Sequence, residues 1–86
     1  MRLAATARFV KAWSKLIDEE KVSARKALKT LAADMKYPSL QVKKVVGAKD
    51  IWEARGSRSL RITFQIRDDV VILRNIGHHD EVLKQP

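Results

Sequence analysis

His78 and His79 are the only histidines of the chain, and they stand together in Gly77-His78-His79-Asp80-Glu81, directly after the apolar run Val70 to Ile76. Imidazole gives and takes protons near neutral pH, so either ring is a candidate general acid or base. Upstream, Glu53 and Arg55 alternate with Trp52 and Ala54, and Arg61 and Thr63 alternate with Leu60 and Ile62. If both stretches are neighbouring strands with the apolar residues inward, one carboxylate and two guanidinium groups share the opposite face. Planar guanidinium forks suit two-point contact with phosphate. Such a patch can hold a scissile phosphate and stabilise the extra charge of its transition state, while the carboxylate removes a proton.

Each feature also has a plainer account. The charged patch is equally a cross-strand ion pair on a solvated face, worth about 0–1 kcal/mol. The histidines are equally a polar loop at a strand end, although such loops beside a rigid basic face are where reactive groups are usually presented. The His-His-Asp-Glu run has metal-ligand chemistry, but adjacent residues seldom converge on one ion, and no distant His or Cys completes a shell. No metal and no other cofactor is expected. Glycine-rich phosphate loops, a serine-nucleophile elbow and paired-cysteine motifs are absent.

The charge balance points the same way as the patch. Eighteen Lys and Arg against ten Asp and Glu give a net charge of +8, a field that draws in polyanions by counterion release. Residues 1–50 hold nine Lys and three Arg, whereas residues 51–86 hold Arg55, Arg58, Arg61, Arg67, Arg74 and a single Lys84. The phosphate-binding forks therefore lie in the C-terminal half. With 86 residues the chain is expected to form one domain, 1–86, around one thin core that buries roughly 60–65% of its surface, so a bound partner would matter for stability. The absence of cysteine fits a reducing cytoplasm. Arg2, Arg8, Lys11 and Lys15 interrupt the first seventeen residues, so neither a signal peptide nor a membrane span is expected there.

The elements that must position these groups change period midway. Residues 2 to 5 suit a short strand, and Thr6 offers an N-cap to a helix reaching about Ile17, with Phe9, Val10, Trp13, Leu16 and Ile17 as its apolar stripe. Asp18, Glu19 and Glu20 favour the start of a second helix to about Met35, with Ala24, Ala27, Leu28, Leu31 and Met35 inward. Tyr37-Pro38-Ser39 ends the helical part. Beyond it, strands are predicted from Leu40 to Val46, Ile51 to Arg55, Leu60 to Arg67 and Val70 to Ile76, with a reversal at Asp68-Asp69 and a tail after Glu81. The expected fold is α+β, two N-terminal helices packed on a small twisted antiparallel sheet of four to five strands, with the other face of the sheet open.

Tyr37-Pro38-Ser39-Leu40, Val42-Lys43-Lys44-Val45-Val46-Gly47 and Asp50-Ile51-Trp52-Glu53-Ala54-Arg55 together resemble the middle of RelE/ParE-family toxins. Leu60 to Ile66 is similar to the family's Tyr-Arg-containing strand, and Ile76 to Leu83 to its Gly-x-x-x-Glu-Val ending. In the RelE/YafQ-like branch, the resemblance implies a metal-independent endoribonuclease of a type II toxin–antitoxin system, one that cleaves messenger RNA on the ribosome. It further implies a cytoplasmic protein, monomeric when free, that a cognate antitoxin wraps into a hetero-oligomer. Carried onto this chain, Arg61 and Arg55 would neutralise the phosphate, and His79 would protonate the leaving 5′-oxygen. Glu53 or His78 would serve as base, and Lys43, Lys44, Arg58 and Arg74 would contact RNA. Leu83 stands where many RelE-like nucleases have a tyrosine, and Glu53 where some have a lysine. Two alternatives are a ParE-like toxin that poisons gyrase without cleavage chemistry, and a non-toxic nucleic-acid-binding module.

Overall fold

Thr6 joins three elements at one residue. In the computed structural model, which describes residues 1–86, the Thr6 hydroxyl accepts the Phe9 N–H at 3.1 Å, capping a helix, and donates to the Leu73 carbonyl at 2.9 Å. It thereby ends strand β1 (Arg2–Ala5), starts helix α1 (Ala7–Ser14) and ties both to a strand near the far end of the sequence, β5 (Val70–His78).

Helix α1 stops a turn before the expected Ile17, and α2 (Asp18–Ala33) begins immediately after it. Ile17 takes the extended N-cap conformation of α2, where its N–H donates to Glu20 Oε1 at 3.0 Å. Its side chain is therefore turned out of the stripe. Ile17 and Val10 are 62% and 58% exposed, while Phe9 and Leu16 are buried and Trp13 packs against the core. The second helix ends at Ala33 because Asp34 is extended and its carboxylate accepts the Lys36 N–H at 3.0 Å, a turn that competes with the helix. A 3-10 turn at Pro38–Leu40 follows. Neither long helix is sufficiently long and apolar to cross a membrane.

Strands β2 (Lys43–Lys44), β3 (Trp52–Arg55) and β4 (Leu60–Arg67) complete a five-stranded sheet in the order β1-β5-β4-β3-β2. The α+β expectation of a two-helix hairpin on such a sheet stands, with the difference that the sheet is mixed. Strand β1 runs parallel to β5, pairing Arg2 with Val70 and Ala5 with Leu73, and the other pairs are antiparallel. The helical hairpin lies between β1 and the remaining strands in sequence, which leaves room for a parallel connection. The alternation read in β4 holds: Leu60, Ile62 and Phe64 are fully buried against the hairpin with Phe9, Ala24 and Leu31.

The face away from the hairpin is not open, which corrects the expectation. What reads as a tail is a third helix, α3 (His79–Lys84), with Asp80 and Glu81 in its first turn and Lys84 in its last, charges that suit the helix dipole. Val82 is 2% exposed. It sits over Gly77, where an added Cβ would lie 3.1 Å from Val82 Cγ2, so the missing side chain is what lets α3 lie on the sheet. Residues 85 and 86 continue across that face. The Pro86 carbonyl accepts from Thr63 Oγ1 at 3.0 Å and Arg74 Nε at 3.2 Å, and the Gln85 carbonyl from Asn75 Nδ2 at 3.1 Å. Thr63 and Glu53 are consequently buried, at 0% and 5% exposure.

Gly77→Ala should therefore press Val82 outward by a few tenths of an ångström and lower stability by about 1 kcal/mol, the lower end of the cost of overpacking. Chemical denaturation followed by tryptophan fluorescence measures it. A loss no larger than that of an exposed surface substitution would show that α3 does not depend on the close approach.

Candidate active site

The loop Gly56–Ser59, between β3 and β4, gathers most of the candidate groups. Pairing of Arg55 with Arg61 and of Glu53 with Thr63 puts all four on the face that carries α3, as their alternation predicts. Arg55 Nε donates to the Ser57 carbonyl at 3.3 Å, and Arg61 Nη1 donates to the same oxygen at 3.1 Å. Nη1 of Arg61 also reaches the carbonyls of Arg58 and Leu60, at 3.4 and 2.9 Å. On the other side of its guanidinium, Nε lies 4.0 Å from Glu53 Oε1. The Arg61 side chain is 17% exposed, so these contacts hold a cation in a fixed place while leaving part of its fork accessible.

His79 joins this group through the main chain. Its N–H donates to the Ser59 carbonyl at 2.9 Å, and its ring, 48% exposed, has Nδ1 3.2 Å from Asp80 Oδ1. The ring nitrogen Nε2 has no partner in the protein. Ser59, His79 and Asp80 line one shallow cleft together with His78 and Glu81. Two guanidinium groups and the backbone of His79 are thus attached to one loop, with Arg55 lining the groove beside α2 and His79 the cleft beside Ser59.

His78 lines that cleft as well, but its ring is tied to the hairpin side. It pairs with Leu60 on the hairpin face, and its Nε2 lies 3.0 Å from Glu20 Oε2 of α2. Lys44 likewise faces the hairpin side, its ammonium 5.3 Å from the centre of the Trp52 ring, a cation–π contact. Lys43 pairs with Glu53 on the α3 face and is exposed. Arg58 is exposed in the loop. Arg74 is engaged twice, by Pro86 and by Gln65 Oε1 at 2.9 Å. No three His, Cys, Asp or Glu side chains come together in a group able to hold a metal ion.

The role of Ser57 and Ser59 was not read from the sequence. Both act through backbone carbonyls, and a carbonyl leaves no mark in residue type. The only available signal is the Arg-Gly-Ser-Arg-Ser-Leu-Arg run itself, a tight turn with arginines on both arms.

No family model and no curated protein sequence matches the chain. Its fold is nevertheless shared with solved toxins. A metal-bound toxin from Helicobacter pylori superposes with a TM-score of 0.77 at 20% identity, over 95% of this chain and 98% of that one. YafQ from E. coli strain BL21(DE3) gives 0.73 at 15% identity, over 95% and 98%. The matched chain of the intact E. coli RelBE toxin-antitoxin complex gives 0.70 at 22% identity, over 91% and 95%. The chain has the RelE-type toxin fold.

The contacts rank the site variants by structural cost. Arg61→Ala removes the carbonyl bonds and strands the buried Glu53 carboxylate, an expected loss of about 3 kcal/mol. His79→Ala changes only an exposed ring and should cost under about 0.5 kcal/mol. Urea midpoints of the two variants check the ranking, and equal losses would contradict it.

Proposed function

We propose that the chain is the single-domain toxin of a type II toxin–antitoxin system, an endoribonuclease that cleaves messenger RNA on the ribosome without a metal ion. The observation that supports this reading is the convergence on one loop: Arg55 and Arg61 share the Ser57 carbonyl, and His79 is anchored at Ser59. The RelE-type fold and the net charge of +8 agree with it.

In the proposed reaction the ribose 2′-hydroxyl attacks the adjacent phosphorus, a new P–O2′ bond forms, and the P–O5′ bond breaks to leave a 2′,3′-cyclic phosphate. Arg61 and Arg55 bind the non-bridging oxygens and offset the charge that builds on them. His79 in its protonated form gives its proton to the departing 5′-oxygen. The proposed acceptor of the 2′-hydroxyl proton is Glu53 or His78: Glu53 lies beside Arg61 but is buried, whereas the His78 side chain is 62% exposed and lines the same cleft as His79. The proposed protein partner is an antitoxin. The outward-facing Val10, Ile17 and Val22 of the helical hairpin, each more than half exposed, offer it apolar surface. The proposed place of action is the cytoplasm, where ribosomes are.

Inducible expression of wild type beside His79→Ala and Arg61→Lys, with growth curves and mapping of messenger RNA 5′ ends, tests the reading. Wild type should arrest growth and produce new cuts in register with codons, and His79→Ala should lower the cleavage rate by about 10²–10⁴-fold, the usual contribution of a general acid. Arrest without cuts would direct attention to gyrase or another target. Absence of arrest would overturn the toxin assignment.

A further inference from the structure

A second feature adjoins the loop Gly56–Ser59 on its outer side. Between α2, the Tyr37–Gln41 segment and this loop runs a groove of about 710 Å³, within the size range of sites that take small ligands. Its cations are Lys26, Arg55 and Arg58, and its other polar side chains are hydroxyls and an amide, among them Ser23, Ser39 and Gln41. Although the chain carries ten Asp and Glu, none lines this groove. The cleft beside α1, about 520 Å³, is different: Arg8, Lys11 and Lys15 there are offset by Glu20 and Glu81, and its one aromatic ring, His78, is held against Glu20. Of the two large clefts, only the first is uniformly attractive to a polyanion.

Its wall also carries Tyr37, the only tyrosine of the chain, 50% exposed. The residue is held firmly. Its N–H donates to the Asp34 carbonyl at 3.1 Å, its carbonyl accepts from Leu40 N–H at 3.0 Å, and Leu40 itself is 2% exposed. Pro38 keeps the preceding residue in an extended conformation, φ −57° and ψ 125°. An exposed ring on a fixed backbone is a stacking platform, and stacking on a nucleobase tolerates any sequence.

We infer that this groove binds a single-stranded RNA segment flanking the scissile phosphate, with one base stacked on Tyr37 and the adjoining phosphates held by Lys26 and Arg58. The inference rests on the endoribonuclease reading for which phosphate is cut, and Arg55, which belongs to both places, links them. RNA is favoured over an acidic protein segment because a carboxylate chain has no use for an exposed aromatic platform. A duplex would leave its bases stacked inside and out of reach of the ring.

The test uses full-length protein and a short fluorescein-labelled 2′-O-methyl RNA of mixed sequence, which has no 2′-hydroxyl to attack, with anisotropy recorded over a salt series. Tyr37→Ala should weaken binding about tenfold, while Tyr37→Phe stays within about twofold. Lys26→Ala and Arg58→Ala should each reduce the slope of log affinity against log salt by about 0.7. Lys29→Ala, on the same helix but outside the groove, should change it less. Equal effects of Lys29→Ala and Lys26→Ala, or none from Tyr37→Ala, would overturn the inference. So would displacement of the RNA by poly-glutamate at matched charge, which would mark the groove as a protein-docking site. If RNA binds as expected yet cells show no cuts, the endoribonuclease reading fails and the groove stands. If cuts appear and Tyr37→Ala binds RNA normally, the reverse holds.

Discussion

Leu73 and Ile76 are both buried against the helical hairpin, and a regular strand cannot place residues three apart on one face. Strand β5 meets this constraint with a bulge. Phe64 pairs with Leu73 and Thr63 with Asn75, so Arg74 is an extra residue with no backbone partner on β4, although its side chain reaches Gln65. Much else in the fold follows from that insertion. Arg74 and Asn75 both reach the α3 side, where they hold residues 85 and 86. Gly77 then falls beneath Val82, and His78 falls on the hairpin side, within reach of Glu20. Without the bulge the strand would expose Ile76 and turn every later residue to the opposite face.

The same insertion explains why the histidines, adjacent in sequence, have separate environments. Strand geometry sends neighbours to opposite faces, and here one neighbour still belongs to the strand while the next begins a helix. His78 is a tie between the end of β5 and the start of α2. His79 is presented toward the loop that carries the arginines. The cations of the site are held mainly by backbone carbonyls, which have partial negative charge but never titrate, so Arg61 keeps its place whether or not Glu53 is charged.

Local chemistry made part of this legible. The Thr6 cap, the inward positions Phe9 and Leu16, and the alternation Leu60, Ile62, Phe64 each depend on nearest neighbours and read directly from residue type. So did the common face of Glu53, Arg55 and Arg61, which needs only a period of two. What escaped the reading depends on distant partners. The end of α1 is decided by where Ile17 must go to start α2, and the covering of the second face by a glycine on one strand admitting a valine from the next element. The bulge is invisible locally, because Leu73-Arg74-Asn75-Ile76 has no turn residue other than Asn75 to betray it. Glu53 and Thr63 look like solvated strand positions until α3 and the last residues are placed over them.

Strand β1 has a further implication for the order of events during synthesis. Thr6 bonds to a carbonyl 67 residues later in the chain, and the strand before it has no other neighbour in the sheet. The first half of the protein emerges as an amphipathic hairpin, and the surface that covers Phe9, Leu16 and Leu31 is made only with β4 and β5. Contacts so far apart in sequence close late, because the loop between their ends must be ordered first. A nascent chain therefore carries both arginines before it carries the histidine, and leaves the peptidyl-transferase centre as an unfinished sheet. Until β4 and β5 are made, the bare hairpin is open to whatever meets it first.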